Sequence, residues 1–126
     1  MITCLHFILM NKILIIDDDH DFLEGVRSVL EDSGYGFVAT ADSHNAHQKI
    51  RFFRPNLIIL DVFLNQDNGK NIALELKEAT DTKKIPILLV SGNTNIKNIS
   101  HAAKVDAYLQ KPFSGHQLVS SISQLI

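Results

Sequence analysis

A chain of 126 residues has room for one domain with a real core and not for two. Apolar residues make up 45% of it and charged ones 21%, ordinary values for a soluble globular protein. A formal charge of −2, with no basic stripe and no helix-turn-helix or zinc-finger pattern, gives no electrostatic case for binding nucleic acid.

Met1 to Met10 form a mostly apolar run that Asn11-Lys12 breaks, well short of the roughly 20 residues a membrane helix needs. The run also lacks the basic start and small-residue cleavage site of a signal peptide. It reads as an N-terminal extension, residues 1–11, ahead of a fold over 12–126. The alternatives are a true start at Met10 and a short membrane-touching segment. Cys4 is the single cysteine, so it forms no internal disulfide, and a reducing, cytoplasmic setting is expected.

A first strand is predicted over 12–17, ending in Asp17-Asp18-Asp19. Phe22, Val26, Val29 and Leu30 then share one helical face, closed by Gly34 as a C-terminal cap. A second strand covers 36–40. Asp42 or Ser43 caps a helix whose inner face is Ala46, Ile50 and Phe53. Pro55 opens a third strand, 56–61, ending in Asp61. Asn68-Gly69 is a turn before a helix with Ile72, Leu76 and Ala79 inward. Pro86 lies at the opening of the fourth strand, 85–91, which ends in Ser91-Gly92. A helix with Ile96, Ile99 and Ala103 follows, then a fifth strand, 106–110, ending in Lys111-Pro112. Ser114 to Gln117 has the spacing of a capping box ahead of Leu118, Ile122 and Leu125. The first, third and fourth strands are nearly all apolar, as strands buried on both faces are. Five strands alternating with five helices imply an α/β fold with a parallel sheet, helices on both faces and right-handed crossovers.

Ligands of open parallel sheets bind beyond the carboxyl ends of the strands. Those ends carry Asp17, Asp18, Asp61, Ser91 and Lys111. Converging carboxylates repel, so either some protonate or a cation joins them. Oxygen ligands suit a hard divalent ion such as Mg²⁺, which takes one or two carboxylates and keeps several waters. Lys111 adds a fixed positive charge. The set suits a phosphoryl group on one carboxylate, and Asp61 is the natural acceptor between the acid pair and the Ser91/Lys111 side.

Five segments carry a family resemblance in order and at family spacing. They are 12–19 (Lys-Ile-Leu-Ile-Ile-Asp-Asp-Asp), 55–61 (Pro-Asn-Leu-Ile-Ile-Leu-Asp), Asn68-Gly69, 86–92 (Pro-Ile-Leu-Leu-Val-Ser-Gly) and 106–113 (Asp-Ala-Tyr-Leu-Gln-Lys-Pro-Phe). Over residues 12–126 the chain resembles a response-regulator receiver domain of two-component signalling, in the CheY-like superfamily and in its stand-alone form. The resemblance implies a flavodoxin-like, doubly wound sheet of order 2-1-3-4-5. It implies a phosphoprotein, not an enzyme acting on other substrates, that catalyses its own phosphorylation and dephosphorylation. On this resemblance Asp61 would take a phosphoryl group from a sensor histidine kinase or a histidine phosphotransfer protein. Asp17, Asp18, Asp61 and the Phe63 carbonyl would hold Mg²⁺, Asp17 partly through water. Ser91 and Lys111 would contact phosphoryl oxygens. Tyr108 would swing inward as Ser91 is drawn in, and the surface of the fourth helix, fifth strand and fifth helix would switch for docking or phosphorelay. The Lys111-Pro112 bond is expected to be cis. No nucleic acid or membrane partner is implied, and the downstream target is not specified.

The chain departs from the family pattern at several positions. Asn65 stands where many members have proline, Val105 where many have glycine, and Ser91 is the less common of two accepted hydroxyl residues. Gly92 leaves the donor side open. Phe63 is bulky beside the acceptor and is expected to hinder the hydrolytic water. Two other readings compete. An aspartate-nucleophile phosphatase would use Asp17, but the chain has no room for a cap domain and no late acidic pair. A receiver-like binding module without turnover would not need the full set of Asp17, Asp18, Asp61, Ser91 and Lys111. Asp19 and Asp21 read as solvated first-turn residues, and His44 and His47 as a solvated face.

Overall fold

A computed structural model describes residues 11–41, 46–63 and 68–126. The expected extension up to Met10, Cys4, the cap at Asp42 or Ser43, His44 and Asn65 lie outside the described residues.

Runs of apolar residues become strands here because both of their faces are covered. In β1 (Lys12–Ile16), β3 (Leu57–Asp61) and β4 (Ile87–Ser91) nearly every residue is buried. β2 (Gly36–Thr40) and β5 (Ala107–Gln110) are the edges and are less covered. The pairings between these five strands are parallel and the order is β2-β1-β3-β4-β5, as the resemblance implied. The helices between them are α1 (His20–Asp32), α2 (Ala46–Phe53), α3 (Gly69–Glu78), α4 (Ile96–Ala103) and α5 (Gly115–Leu125).

Side chains alternate across the sheet and build two cores. Leu14, Ile16, Ile58, Leu60, Ile87 and Leu89 pack against α2, α3 and α4 through Ala46, Ile50, Ala73, Leu76 and Ala103. Ile13, Ile15, Leu57, Ile59, Leu88 and Val90 pack against α1 and α5 through Val26, Leu30, Leu118 and Ile122. Each such valine, leucine or isoleucine side chain contributes about 1.5–3 kcal/mol by leaving water.

Boundaries fall within two residues of those read from the sequence, and each difference has a local cause. Asp17 ends just outside β1, yet its amide still donates to the Thr40 carbonyl (3.0 Å). Pro86 precedes β4 and contributes only its carbonyl, which accepts from the Ile58 amide. Ala79 is the C-cap of α3 rather than an inward helical residue; Ala73 takes the buried place. Gly34 is at φ +82°, and the Gly34 and Tyr35 amides donate to the Glu31 and Leu30 carbonyls. That bond pair is a Schellman stop, which needs a left-handed residue. At the end of α4 the left-handed residue is Lys104 (φ 59°), so Val105 packs on the core without making the turn itself. Ser114 and Gln117 form the expected capping box.

The edge of the sheet away from the aspartates is pinned by one ion pair. Asp106 Oδ2 accepts from Lys77 Nζ (2.6 Å) and from the Ile87 amide (2.8 Å), tying α3, β4 and the entry to β5 together. Lys77 Nζ also donates to the Ile85 carbonyl (2.9 Å). Asp106→Ala strips a mostly buried lysine of its counter-charge and the Ile87 amide of its acceptor. The expected loss is about 2 kcal/mol, read as a lower urea midpoint. An unchanged midpoint would mean that water replaces the carboxylate without cost.

Candidate functional site

β1 and β3 are neighbours where the chain turns from one half of the sheet to the other, so their carboxyl ends flank the switch-point crevice. Asp17 follows β1 and Asp61 ends β3. Oxygens of Asp17, Asp18 and Asp61 all lie within 4.8 Å of one another. Asp17 is fully buried. Its Oδ2 accepts from Lys111 Nζ (2.9 Å) and its Oδ1 from the Asp19 amide (2.9 Å). Asp18 is half-buried. Asp19 turns away to cap α1, accepting from the amides of Asp21 and Phe22.

Asp61 is buried, and its Oδ1 accepts from the Phe63 amide (3.2 Å). Lys111 Nζ approaches its Oδ2 at 3.7 Å. Burial, and then the Asp17 charge, push the Asp61 carboxyl up to about 6; Lys111 and the Phe63 amide pull it down but do not win, and Asp18 adds to the rise. Within the cluster one ammonium, that of Lys111, thus faces three carboxylates. Hard oxygens that repel one another suit a small divalent cation.

Ser91 ends β4 and is fully buried; its Oγ accepts from the Asn93 amide (3.1 Å). Asp61 pairs in register with Val90, the residue before it. The Lys111 amide donates to the Ser91 carbonyl (2.8 Å), which anchors the lysine beside β4, and the Lys111–Pro112 peptide is cis as expected. A side chain on Gly92 would meet nothing within 4 Å, so that flank is open.

The sequence-predicted residues thus divide. Asp17, Asp18, Asp61 and Lys111 form one cluster, and Ser91 ends the neighbouring strand. The Phe63 side chain is 60% exposed. Tyr108 points outward, 41% exposed, beside a hollow of about 440 Å³ lined by Ser100, His101 and Gln124 among others. His47 lies 3.7 Å from Glu75, and the acid cluster is the only candidate metal group among the described residues.

Two contributors were not legible as such. Gly69 follows the Asn68 cap, and a Cβ there would collide with the Asp61 carbonyl oxygen and come within 2.9 Å of the Val62 Cα. Only glycine lets α3 start against the Asp61 backbone, where its amide donates to the Val62 carbonyl (2.8 Å). Phe22, read as a core position, also places its ring under Lys111, with Nζ 3.9 Å from the centroid. Asn68-Gly69 carried a turn signal, but nothing local marked the second contact.

The sheet order and the carboxylates at its switch point define a doubly wound α/β domain of the receiver type. Residues 13–123 match the response regulator receiver domain family, and the chain belongs to that family. It is 34% identical over 111 residues to the nitrogen assimilation regulatory protein NtrX of Azorhizobium caulinodans, covering 86% of this chain and 24% of that protein. It is 32% identical over 116 residues to the phosphate regulon transcriptional regulatory protein PhoB of Pseudomonas aeruginosa, covering 90% and 51%. The chain thus spans about a quarter of the first relative's length and about half of the second's. The chemotaxis protein CheY4 of Vibrio cholerae superposes with a TM-score of 0.85 at 27% identity, covering 93% of this chain and 99% of that one.

The raised Asp61 carboxyl has a thermodynamic consequence without metal. Its folded value of about 6 lies above the unfolded 3.8, so the folded state binds more protons between those limits. The contribution to stability is full below the unfolded value and is lost as pH rises through about 6. In EDTA, wild type should therefore lose stability relative to Asp61→Asn between pH 4 and pH 7, and Mg²⁺ should restore it at pH 7. Parallel pH profiles for the two proteins would contradict the raised value.

Proposed function

We propose that this chain is a phosphorylation-controlled response regulator whose acceptor is Asp61. The observation that carries the reading is Lys111 Nζ set between Asp17 and Asp61, with Asp18 completing a tight carboxylate cluster at the switch point. Asp17 is the poorer nucleophile, being fully buried with both oxygens engaged. That disfavours a phosphatase acting through Asp17.

In the proposed reaction an Asp61 oxygen attacks the phosphorus of a phosphohistidine on a sensor kinase or phosphotransfer protein. The P–N bond breaks, the imidazole takes the leaving electron pair, and Asp61 holds an acyl phosphate. Asp17, Asp18, Asp61 and the Phe63 carbonyl are the residues proposed to hold Mg²⁺, which when bound supplies positive charge against the phosphoryl oxygens. Lys111 turns its N–H groups from Asp17 toward one phosphoryl oxygen, and the Ser91 hydroxyl donates to another. The added charge of about −2 biases the fold toward the state in which Ser91 has moved in and Tyr108 has followed. The surface of α4, β5 and α5 is then the element read by a partner, by docking or as one station of a relay. Residues 12–126 form the receiver, and residues 1–11 an extension to it. A cytoplasmic setting, with Cys4 reduced, fits this chemistry. Among the described residues no helix is long and apolar enough to cross a membrane.

Incubation with Mg²⁺ and acetyl phosphate, scored by intact mass, should give one phosphoryl adduct on wild type and none on Asp61→Asn. An adduct that survives in Asp61→Asn would move the nucleophile elsewhere; no adduct on wild type would favour a binding module without turnover. Phe63 lies two residues past the acceptor, with its amide on Asp61 Oδ1, and its bulky ring is proposed to hinder the hydrolytic water once the acyl phosphate forms. Phe63→Asn should speed loss of the adduct on the order of tenfold, about 1.4 kcal/mol in barrier. An unchanged half-life would sink that role.

A further inference from the structure

The Lys111 ammonium has two carboxylates and a ring face close to it. Asp17 Oδ2 is at 2.9 Å, Asp61 Oδ2 at 3.7 Å, and the Phe22 ring centroid at 3.9 Å. The last distance puts the ammonium against the electron-rich face of the ring, well inside the range of a cation–π contact. The ring is not loose. Phe113 meets it edge-on, with centroids 5.7 Å apart and planes at 88°. The Phe22 amide donates to the Asp19 side chain (3.2 Å), so the same turn that follows Asp17 and Asp18 fixes where Phe22 begins. Lys111 is 21% exposed, so the ring covers part of the ammonium's approach to water.

We propose that Phe22 is a positioning residue for phosphoryl transfer, its ring face holding the Lys111 ammonium over the acceptor through a cation–π contact. The inference rests on the reading of Asp61 as the acceptor.

The physical case turns on what Lys111 must do. It has three N–H donors and is held in the resting protein mainly by Asp17. When a phosphoryl group arrives on Asp61, those donors must re-aim toward new oxygens. A third carboxylate at position 22 would hold the ammonium back, and water would let the long side chain swing away. A ring face does neither. Its attraction is electrostatic, carries no net charge, and acts on the ammonium as a whole, so the nitrogen stays in place while its N–H bonds turn. Phe22 also packs with the α1/α5 core, a job any large apolar residue can do. Packing alone gives no reason for the ammonium to sit on the ring face.

The test separates the two roles by changing the ring's electrons without changing its shape. Adduct formation from acetyl phosphate at saturating Mg²⁺ is timed by intact mass. The proteins are wild type, Phe22→Leu, Phe22→Trp, and chains carrying mono-, di- or trifluorinated phenylalanine at position 22. The expected result is a stepwise fall in rate with fluorination, a loss on the order of three- to tenfold for Phe22→Leu, and a rate near wild type for Phe22→Trp. A flat fluorinated series overturns the proposal even if Phe22→Leu is slow or fails to fold, since only packing would then be at stake. The acceptor reading fails differently, on wild type and Asp61→Asn alone. A flat series beside a normal wild-type adduct therefore strikes Phe22 and leaves Asp61 standing.

Discussion

Three carboxylates brought together at the end of a buried sheet repel one another, and much of the molecule is arranged around that repulsion. Two of them, Asp17 and Asp61, are buried where water cannot screen them. Lys111 reaches both, with Asp17 the closer, and burial followed by the Asp17 charge pushes the Asp61 carboxyl up to about 6. Within the cluster one ammonium faces three carboxylates, an imbalance that in the proposed function would link the metal, the phosphoryl group and the lysine in one electrostatic system.

The scaffold keeps the imbalance from relaxing. β1 and β3 are fixed by apolar side chains on both faces, so their ends cannot splay apart without exposing core. Gly69 lets α3 begin against the Asp61 backbone, and the Phe63 amide holds one Asp61 oxygen. At the other end of the sheet, Asp106 and Lys77 pin α3 to β4 and β5. β5 is the exposed partner in this frame: its residues are only partly covered, and Tyr108 stands outward beside the hollow between α4 and α5. The rigid part of the fold thus carries the carboxylates, and the less covered edge carries the side chain expected to move.

The strands were legible because an all-apolar run of about five residues, bounded by Asp, Pro or Gly, has few other homes. Ile13 to Ile16, Leu57 to Leu60 and Ile87 to Val90 are all buried at the places their composition suggested. Helix faces were legible by period, with Val26, Leu30, Ile50, Leu76, Leu118 and Ile122 inward. Ala79 misled because apolar spacing continues past the point where the backbone turns out of the helix. Val105 raised doubt about a turn that Lys104 makes in its place, a choice of backbone dihedral that residue type only biases.

The amino-acid sequence by itself determined the alternation of strands and helices, the residues at the strand ends, and the family to which they belong, since these depend on local composition and spacing along the chain. Tertiary structure alone decided which oxygens lie within 4.8 Å, that Lys111 favours Asp17 over Asp61, that Gly69 abuts the Asp61 backbone, and that Phe22 lies under the ammonium. The reason is physical. Lys111 and Asp17 are separated by 94 positions in the chain, and their distance is set by the register of parallel strands and the packing of α1 and α5, which no local pattern encodes.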